Sequence, residues 1–328
     1  MTVRWGLIGA GDIVRKRVAA ALRETAGSEL VAVSRRDAAE AESAAREFGA
    51  RLAIPDWREL VRSPEIDAVY IATPVYLHAE QTIAAAEAGK HVLCEKPMAM
   101  NAGECDKMIA ICKANGVKLG IAYYRHFYPL IDRIKQFISG GEIGRPTLAQ
   151  INVFEPFNPS PDDPRHWVIE RSQNGGGPMM DFGCHRIEVL ANLFGKALET
   201  RSLVSNAIYD REVEDTAVAS LLFESGVTAT ITVTHTAAEP QDTLHIFGTA
   251  GSIHVQDLNA GEAAFLTATG SRTEYCPPAA NLHQPLIADF VDSILNDREA
   301  MVNGEAGRYV SKLLDEIYSS SQKTTGAS

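Results

Sequence analysis

Five short, continuous apolar runs, all but the last followed by a helical pattern, constrain the first third of this chain more than any other feature. VRWGLIG (residues 3–9) leads into a helix from about Asp12 to Glu24, and ELVAVS (29–34) into one over Ala38–Phe48. IDAVYIAT (66–73) precedes a helix over Leu77–Ala88, KHVLC (90–94) one over Ala102–Asn115, and VKLGIAY (117–123) closes the series. A weaker strand is expected at Arg51–Ile54. Runs without polar alternation are buried on both faces, the condition of strands in a parallel sheet covered by helices. Residues 1–124 are therefore expected to form an α/β domain with a doubly wound parallel sheet.

After Tyr124 the rhythm changes. A helix over Pro129–Ser139 and the turn cluster GGEIGRP precede strand-like runs in succession: PTLAQINVF, ETRSLVSNAIY, DTAVASLLF, VTATITVTH and TLHIFGT. VTATITVTH alternates apolar and polar residues, as a strand does when one sheet face is left open. One helix, roughly Met179–Leu193, interrupts the series. Residues 125–328 are expected to form an α+β domain with a large, mostly antiparallel open sheet. The C-terminal helices, Pro285–Asn296 and Glu305–Tyr318, could pack back on either domain, and the polar tail 319–328 is expected to fray.

Charge and cysteine usage narrow the functional classes. Lys plus Arg is 31 against 42 Asp plus Glu, a formal net charge of −11. That balance speaks against nucleic-acid or anionic-membrane surfaces, which need basic patches. The five cysteines form no C-x-x-C pair, and reduced thiols in a cytoplasmic protein are the simplest reading. There is no secretory signal pattern, no apolar run approaches the about 20 residues of a membrane span, and no His/Cys/Asp cluster has metal-ligand spacing.

Gly9-Ala10-Gly11-Asp12-Ile13 follows the first strand and opens the first helix. Gly9 permits the tight turn, and Gly11 lets backbone approach a pyrophosphate seated on the helix N-terminus. The third glycine position is Val14, a departure from G-x-G-x-x-G/A. Within its strand–turn–helix context the motif reads as a dinucleotide loop, making the first domain a Rossmann domain. The end of the second strand, where a carboxylate would bind the ribose 2′-OH of NAD, holds Ser34, Arg35 and Arg36. A hydroxyl and two guanidiniums would accept a 2′-phosphate, so NADP is expected over NAD; the other reading is a solvated arginine pair at a turn.

Glu95, Lys96 and Pro97 follow the fourth strand, and Thr73 and Pro74 end the third. Ligands of open α/β sheets bind beyond the carboxyl ends of the strands, so these residues line the cofactor cleft. His78 nearby is read as helix-start structure beside that cleft. In GGGPMMDFGCHRIE (175–188), Asp181 and His185 lie four apart on one helix face. Alone, such a pair reads best as an ordinary surface contact. The glycines either let backbone approach a ligand or simply break the chain before the helix.

These stretches closely resemble the glucose–fructose oxidoreductase/inositol dehydrogenase/rhizopine-catabolism (Gfo/Idh/MocA) family. GLIGAGDIV, IATPVYLHAEQTIAAAEAGKHVLCEKPMA, GGGPMMDFGCHRIEVL and HIFGTAGSI occur in the family's order over nearly the whole chain. The resemblance implies an NAD(P)-dependent dehydrogenase or reductase acting on sugars, polyols or related carbonyls. The family's EKP lysine falls on Lys96, its D-x-G-x-H pair on Asp181 and His185, and its later acidic position on Glu188 rather than the usual Asp. It also implies a cis bond between Lys96 and Pro97. Under this reading His185 moves the hydroxyl proton, Lys96 stabilises charge on the reacting oxygen, and Asp181 orients His185 or binds a substrate hydroxyl. Glu95 either orients Lys96 or contacts the nicotinamide ribose, or is a plain loop charge.

Tyr124 and Arg125, after the fifth strand, and His166 and Trp167, in a Pro- and Asp-rich loop, are candidate substrate residues; domain-boundary packing and a surface cover are the other readings. His235 is read as structural. Two further functions stay open, a non-catalytic NAD(P)-binding sensor and an NAD-dependent glycoside hydrolase of the same fold. The open sheet face needs a cover, so a homodimer or homotetramer is expected.

Overall fold

The computed structural model describes residues 1–206 and 208–325. The chain divides into two compact units, residues 1–124 with 279–311, and residues 125–278 with 312 onward.

The first unit is built on six strands: β1 (Val3–Ile8), β2 (Ser28–Ser34), β3 (Leu52–Ala53), β4 (Ala68–Ile71), β5 (His91–Cys94) and β6 (Leu119–Ile121). Their order is β3-β2-β1-β4-β5-β6, and every pairing is parallel. This is the doubly wound sheet expected from the apolar runs, with the strand order of a dinucleotide-binding half-and-half arrangement. Trp5, Leu7, Val69, Tyr70, Val92 and Leu93 are fully enclosed. Helix starts follow side-chain caps: Asp37 accepts from Glu40 N–H at 2.9 Å, and Asn101 accepts from Glu104 N–H at 2.9 Å. A helix the sequence did not announce, Trp57–Arg62, is capped in the same way by Asp56.

The segment 279–311 clusters with this first unit rather than with residues 125–278. Its helix Gln284–Leu295 buries Leu286, Ile287, Phe290 and Val291, and the Phe290 ring lies 5.8 Å from that of Trp5. An apolar stripe of this kind stabilises whichever sheet it covers, and here that is β1.

The second unit holds eight strands: β7 (Pro146–Phe154), β8 (Ala197–Ser205), β9 (Thr216–Phe223), β10 (Thr228–Thr234), β11 (Gln241–Gly248), β12 (Gly251–Val255), β13 (Glu262–Thr267) and β14 (Gly270–Tyr275). Their order is β14-β13-β12-β11-β7-β10-β9-β8. β7 and β10 pair in parallel and the remaining pairs are antiparallel. One face buries Ala149, Ile151, Val153, Ala229, Ile231, Val233, Leu244 and Ile246. The other leaves Leu203, Val218, Leu222 and Leu266 exposed. The last helix, Gly304–Thr325, runs seven residues past the expected end at Tyr318. Ser320 and Ser321 bond into β8 through Ser202 Oγ at 2.6 Å and Val204 N–H at 3.1 Å, which holds the extra turns. Of the tail expected to fray, residues 326–328 lie outside the described residues. Among the described residues no helix is long and apolar enough to cross a membrane.

Candidate active site

In the first unit the expected cofactor residues gather at the carboxyl ends of β1, β2, β4 and β5. Gly9 has φ +97°, and a Cβ there would lie 2.4 Å from Ala72 O, so the turn excludes any side chain. Around Gly11 a Cβ would meet nothing within 4 Å: the backbone borders open space. Asp12 and Ile13 begin the helix, whose first N–H groups have no intrahelical acceptor and whose dipole favours an anion. Bare backbone beside a helix N-terminus fits a pyrophosphate. Val14 is fully buried and starts a π-helical turn, Val14–Val18, where an α-helix was expected. Asp12 pairs with Lys16 at 2.7 Å.

The end of β2 differs from a simple phosphate clamp. Ser34 is buried, and its hydroxyl donates to Pro55 O at 3.0 Å. Arg35 is held by Glu40 at 2.5 Å, and Arg36 is exposed. At β4 the Thr73 hydroxyl donates to Gln81 at 2.7 Å, and Pro74 opens the short turn Val75–Leu77. His78 is fully enclosed, with Nε2 2.9 Å from Thr73 O and Nδ1 3.0 Å from Pro97 O. Its ring therefore braces the loop after β4 against the loop after β5. Burial lowers its pKa, with the Thr73 and Pro97 carbonyls acting in the opposite direction.

Beyond β5, Glu95 is buried and Lys96 half-buried, and the Lys96–Pro97 peptide is cis, as the family resemblance implied. Glu95 accepts from Tyr70 Oη at 2.7 Å and from Lys96 N–H at 3.2 Å, and His283 Nε2 stands 3.5 Å away. Burial works to raise the carboxyl pKa, but His283, Lys96 and Tyr70 outweigh it and hold the group below the ordinary glutamate value. Tyr124 is packed, its ring 4.7 Å from His283 with Arg17 over the ring at 5.4 Å. His283 went unsuspected in the sequence. It lies far along the chain in no recognisable motif, and only folding brings it to Glu95.

In the second unit Asp181 sits half-buried on a π-helical turn, Met179–Gly183, that runs directly into the helix Cys184–Phe194 carrying buried His185. Single π turns inside helices are frequent at functional sites. Glu188, one turn beyond His185, pairs with His126 at 2.7 Å. Arg186 pairs with Asp242 at 2.6 Å. Arg125 stands 3.6 Å from the same carboxylate and donates to Asn259 at 3.3 Å, and Asn259 also accepts from Tyr128 Oη at 3.0 Å. Arg125 is thus built into a buried polar network. His166 Nδ1 lies 3.1 Å from Pro159 O, and Trp167 packs on Phe157, Val168, Ile169 and Val213. His235 is enclosed between the Phe157 and Phe182 rings, 2.9 Å from Arg211. Burial first, then Arg211, pushes its pKa down to about 4.

Comparison with known proteins gives a consistent picture. Residues 3–123 match the model for an oxidoreductase family with an NAD-binding Rossmann fold, and residues 131–254 that for the GFO/IDH/MocA C-terminal domain. The chain is 33% identical to a 1,5-anhydro-D-fructose reductase of Ensifer adhaerens over 310 residues, 93% of this chain and 92% of that protein. It is 30% identical to a levoglucosan dehydrogenase of Pseudarthrobacter phenanthrenivorans over 270 residues, 73% of this chain and 69% of that protein. A solved levoglucosan dehydrogenase in complex with NADH and levoglucosan superposes with a TM-score of 0.89 at 26% identity, covering 98% of both chains.

Proposed function

This chain belongs to the Gfo/Idh/MocA oxidoreductase family, and on that premise we propose that it interconverts a hydroxyl and a carbonyl on a sugar, polyol or related compound with NADP as the preferred cofactor. The observation that carries the reading is Lys96 just beyond the carboxyl end of β5, on a loop anchored by buried Glu95 and braced by His78. A cation held on a rigid frame suits stabilisation of charge on a reacting oxygen.

When bound, the nicotinamide supplies or accepts the hydride. Gly9, Gly11 and the helix start at Asp12–Ile13 hold the pyrophosphate, while Thr73, Pro74 and Glu95 border the nicotinamide end. Lys96 donates to the reacting oxygen. His185 gives or takes its proton, a task suited to an imidazole near neutral pH. Asp181 orients that imidazole or binds a substrate hydroxyl. Tyr124, Arg125, His166 and Trp167 shape the substrate pocket; Arg125 does so as part of its network with Asp242 and Asn259.

The NADP preference rests on Arg35 and Arg36 and on the lack of a carboxylate at the end of β2. Ser34 contributes less than its sequence position suggested, because its hydroxyl is already given to Pro55. The test is a fluorescence titration with NADPH and NADH separately, followed by a turnover screen that includes 1,5-anhydro-D-fructose and levoglucosan. Tight NADPH binding with reduction of a sugar ketone supports the reading. Cofactor binding without turnover on any hydroxyl or carbonyl compound favours the sensor, and glycoside cleavage without net cofactor consumption favours the hydrolase.

A further inference from the structure

The carboxylate of Glu214, three per cent exposed in the loop before β9, faces the start of the helix that carries Asp181 and His185. Its Oε2 accepts from Gly177 N–H at 2.9 Å, and its Oε1 accepts from Met179 N–H at 3.1 Å and from Tyr318 Oη at 2.8 Å. Burial and the neighbouring carboxylate keep the Tyr318 phenol protonated, so it donates. The Glu214 backbone is fixed as well, its carbonyl accepting from Arg211 at 2.9 Å.

This arrangement explains the glycine run. A Cβ at Gly176 would lie 2.0 Å from Tyr318 Oη, and one at Gly177 would lie 2.1 Å from Glu214 O. The glycines let the chain close on a carboxylate and a phenol from elsewhere in the same unit. That carboxylate takes two of the N–H groups that a helix start leaves without partners; burial raises its pKa, and the Gly177 and Met179 N–H groups with Tyr318 act against that rise. Two residues on, the same turn carries Asp181, and it runs without a break into His185.

We propose that Glu214 is a positioning residue: its carboxylate, with Tyr318, fixes the first turn of the Asp181–His185 helix and so the bearing of the imidazole on the reacting oxygen. This rests on the role given to His185 above. Substrate-aligning contacts of this kind act on kcat more than on KM, and a misplacement of about 1 Å costs on the order of 100-fold.

The experiment compares E214Q, Y318F and H185Q in the full-length protein, measuring kcat, KM, cofactor affinity and amide hydrogen exchange over residues 177–185. Gln keeps the volume but turns an N–H₂ toward one of the helix amides. The expected result is a kcat at least about tenfold lower in E214Q with KM within about threefold, faster exchange at Gly177 and Met179–His185, and a smaller effect of the same sign in Y318F. A folded E214Q with unchanged kcat overturns the proposal, even if its melting temperature falls. Should E214Q not fold, Y318F decides by the same readouts. Turnover that survives in H185Q sinks the reading of His185 itself, and Glu214 is then judged on exchange, where unchanged protection overturns the clamp.

Discussion

Tyr70 donates its hydroxyl to Glu95 at 2.7 Å, tying the residue before Lys96 to the neighbouring strand β4. Glu95 in turn accepts the Lys96 N–H, so a buried carboxylate anchors the backbone of the bend. Lys96→Ala should therefore leave the loop and cofactor affinity intact while kcat falls by about 10²–10³, the range for loss of one donor to a developing oxyanion. Stopped-flow turnover beside an NADPH titration checks this. Turnover at the wild-type rate would remove Lys96 from the chemistry.

The two glycines of the phosphate loop should fail differently. Gly9→Ala places a Cβ against Ala72 O at a φ of +97°, so it should lower the melting temperature as well as cofactor affinity. Gly11→Ala adds its methyl to open space and should leave stability within about 0.5 kcal/mol of wild type while weakening cofactor binding. Thermal melts without cofactor, paired with fluorescence titrations, separate the two. Equal cofactor affinity in wild type and Gly11→Ala would place the pyrophosphate elsewhere.

His235 makes stability depend on pH. Its folded pKa is depressed from 6.5 to about 4, so between those values the unfolded chain binds more protons than the folded one. The stability of the neutral ring is complete above about pH 6.5 and is lost as pH falls toward 4, a change of about 3 kcal/mol for this single group. Urea unfolding at pH 7.5, 5.5 and 4.5 should show the decline, and His235→Asn should flatten it over that interval. An equally steep decline in the variant would assign it to other groups.

Cofactor choice should follow the arginines after β2. Replacing Arg35 and Arg36 together with Ala should weaken NADPH binding at least about tenfold and leave NADH binding nearly unchanged, because only the 2′-phosphate is addressed. Arg35 alone should have the smaller effect, since Glu40 already shares its guanidinium. Parallel loss of both cofactors would mean that the arginines support the loop and not the phosphate.

The exposed face of the eight-stranded sheet carries Leu203 and Val218 directly opposite each other on β8 and β9, with Leu222 four residues further along β9. We expect a second copy of the chain to cover it. Sedimentation equilibrium should give a dimer or tetramer mass for the wild type and a smaller assembly for the Leu203→Glu, Val218→Glu double variant. An unchanged mass in the variant would exclude this face as the contact.

Much of the fold was legible because β1, β2, β4 and β5 are buried on both faces and so lack polar interruption. β12 to β14 were not: GSRTEY in β14 is almost wholly exposed, and a strand at a sheet's edge has no burial to imprint a pattern on its sequence. The destination of residues 279–311 was also hidden, since an amphipathic stripe says that a helix covers something, not what. At the site, local signals revealed the glycines and Lys96. His283 and Glu214 act on Glu95 and Gly177 across long sequence separations, and nothing near either residue announces its partner. The glycine run was visible, but its cause, the room taken by Tyr318 and Glu214, belongs to the packed state.

The contact between Trp5 and Phe290 joins two residues that lie far apart along the chain. At ribosomal speeds of about 5–20 residues per second, the indole waits on the order of tens of seconds for its cover. A nascent chain stopped after Tyr124 already carries all six strands of the first sheet, yet one side of β1 stays bare. Translation thus runs ahead of the first unit's completion.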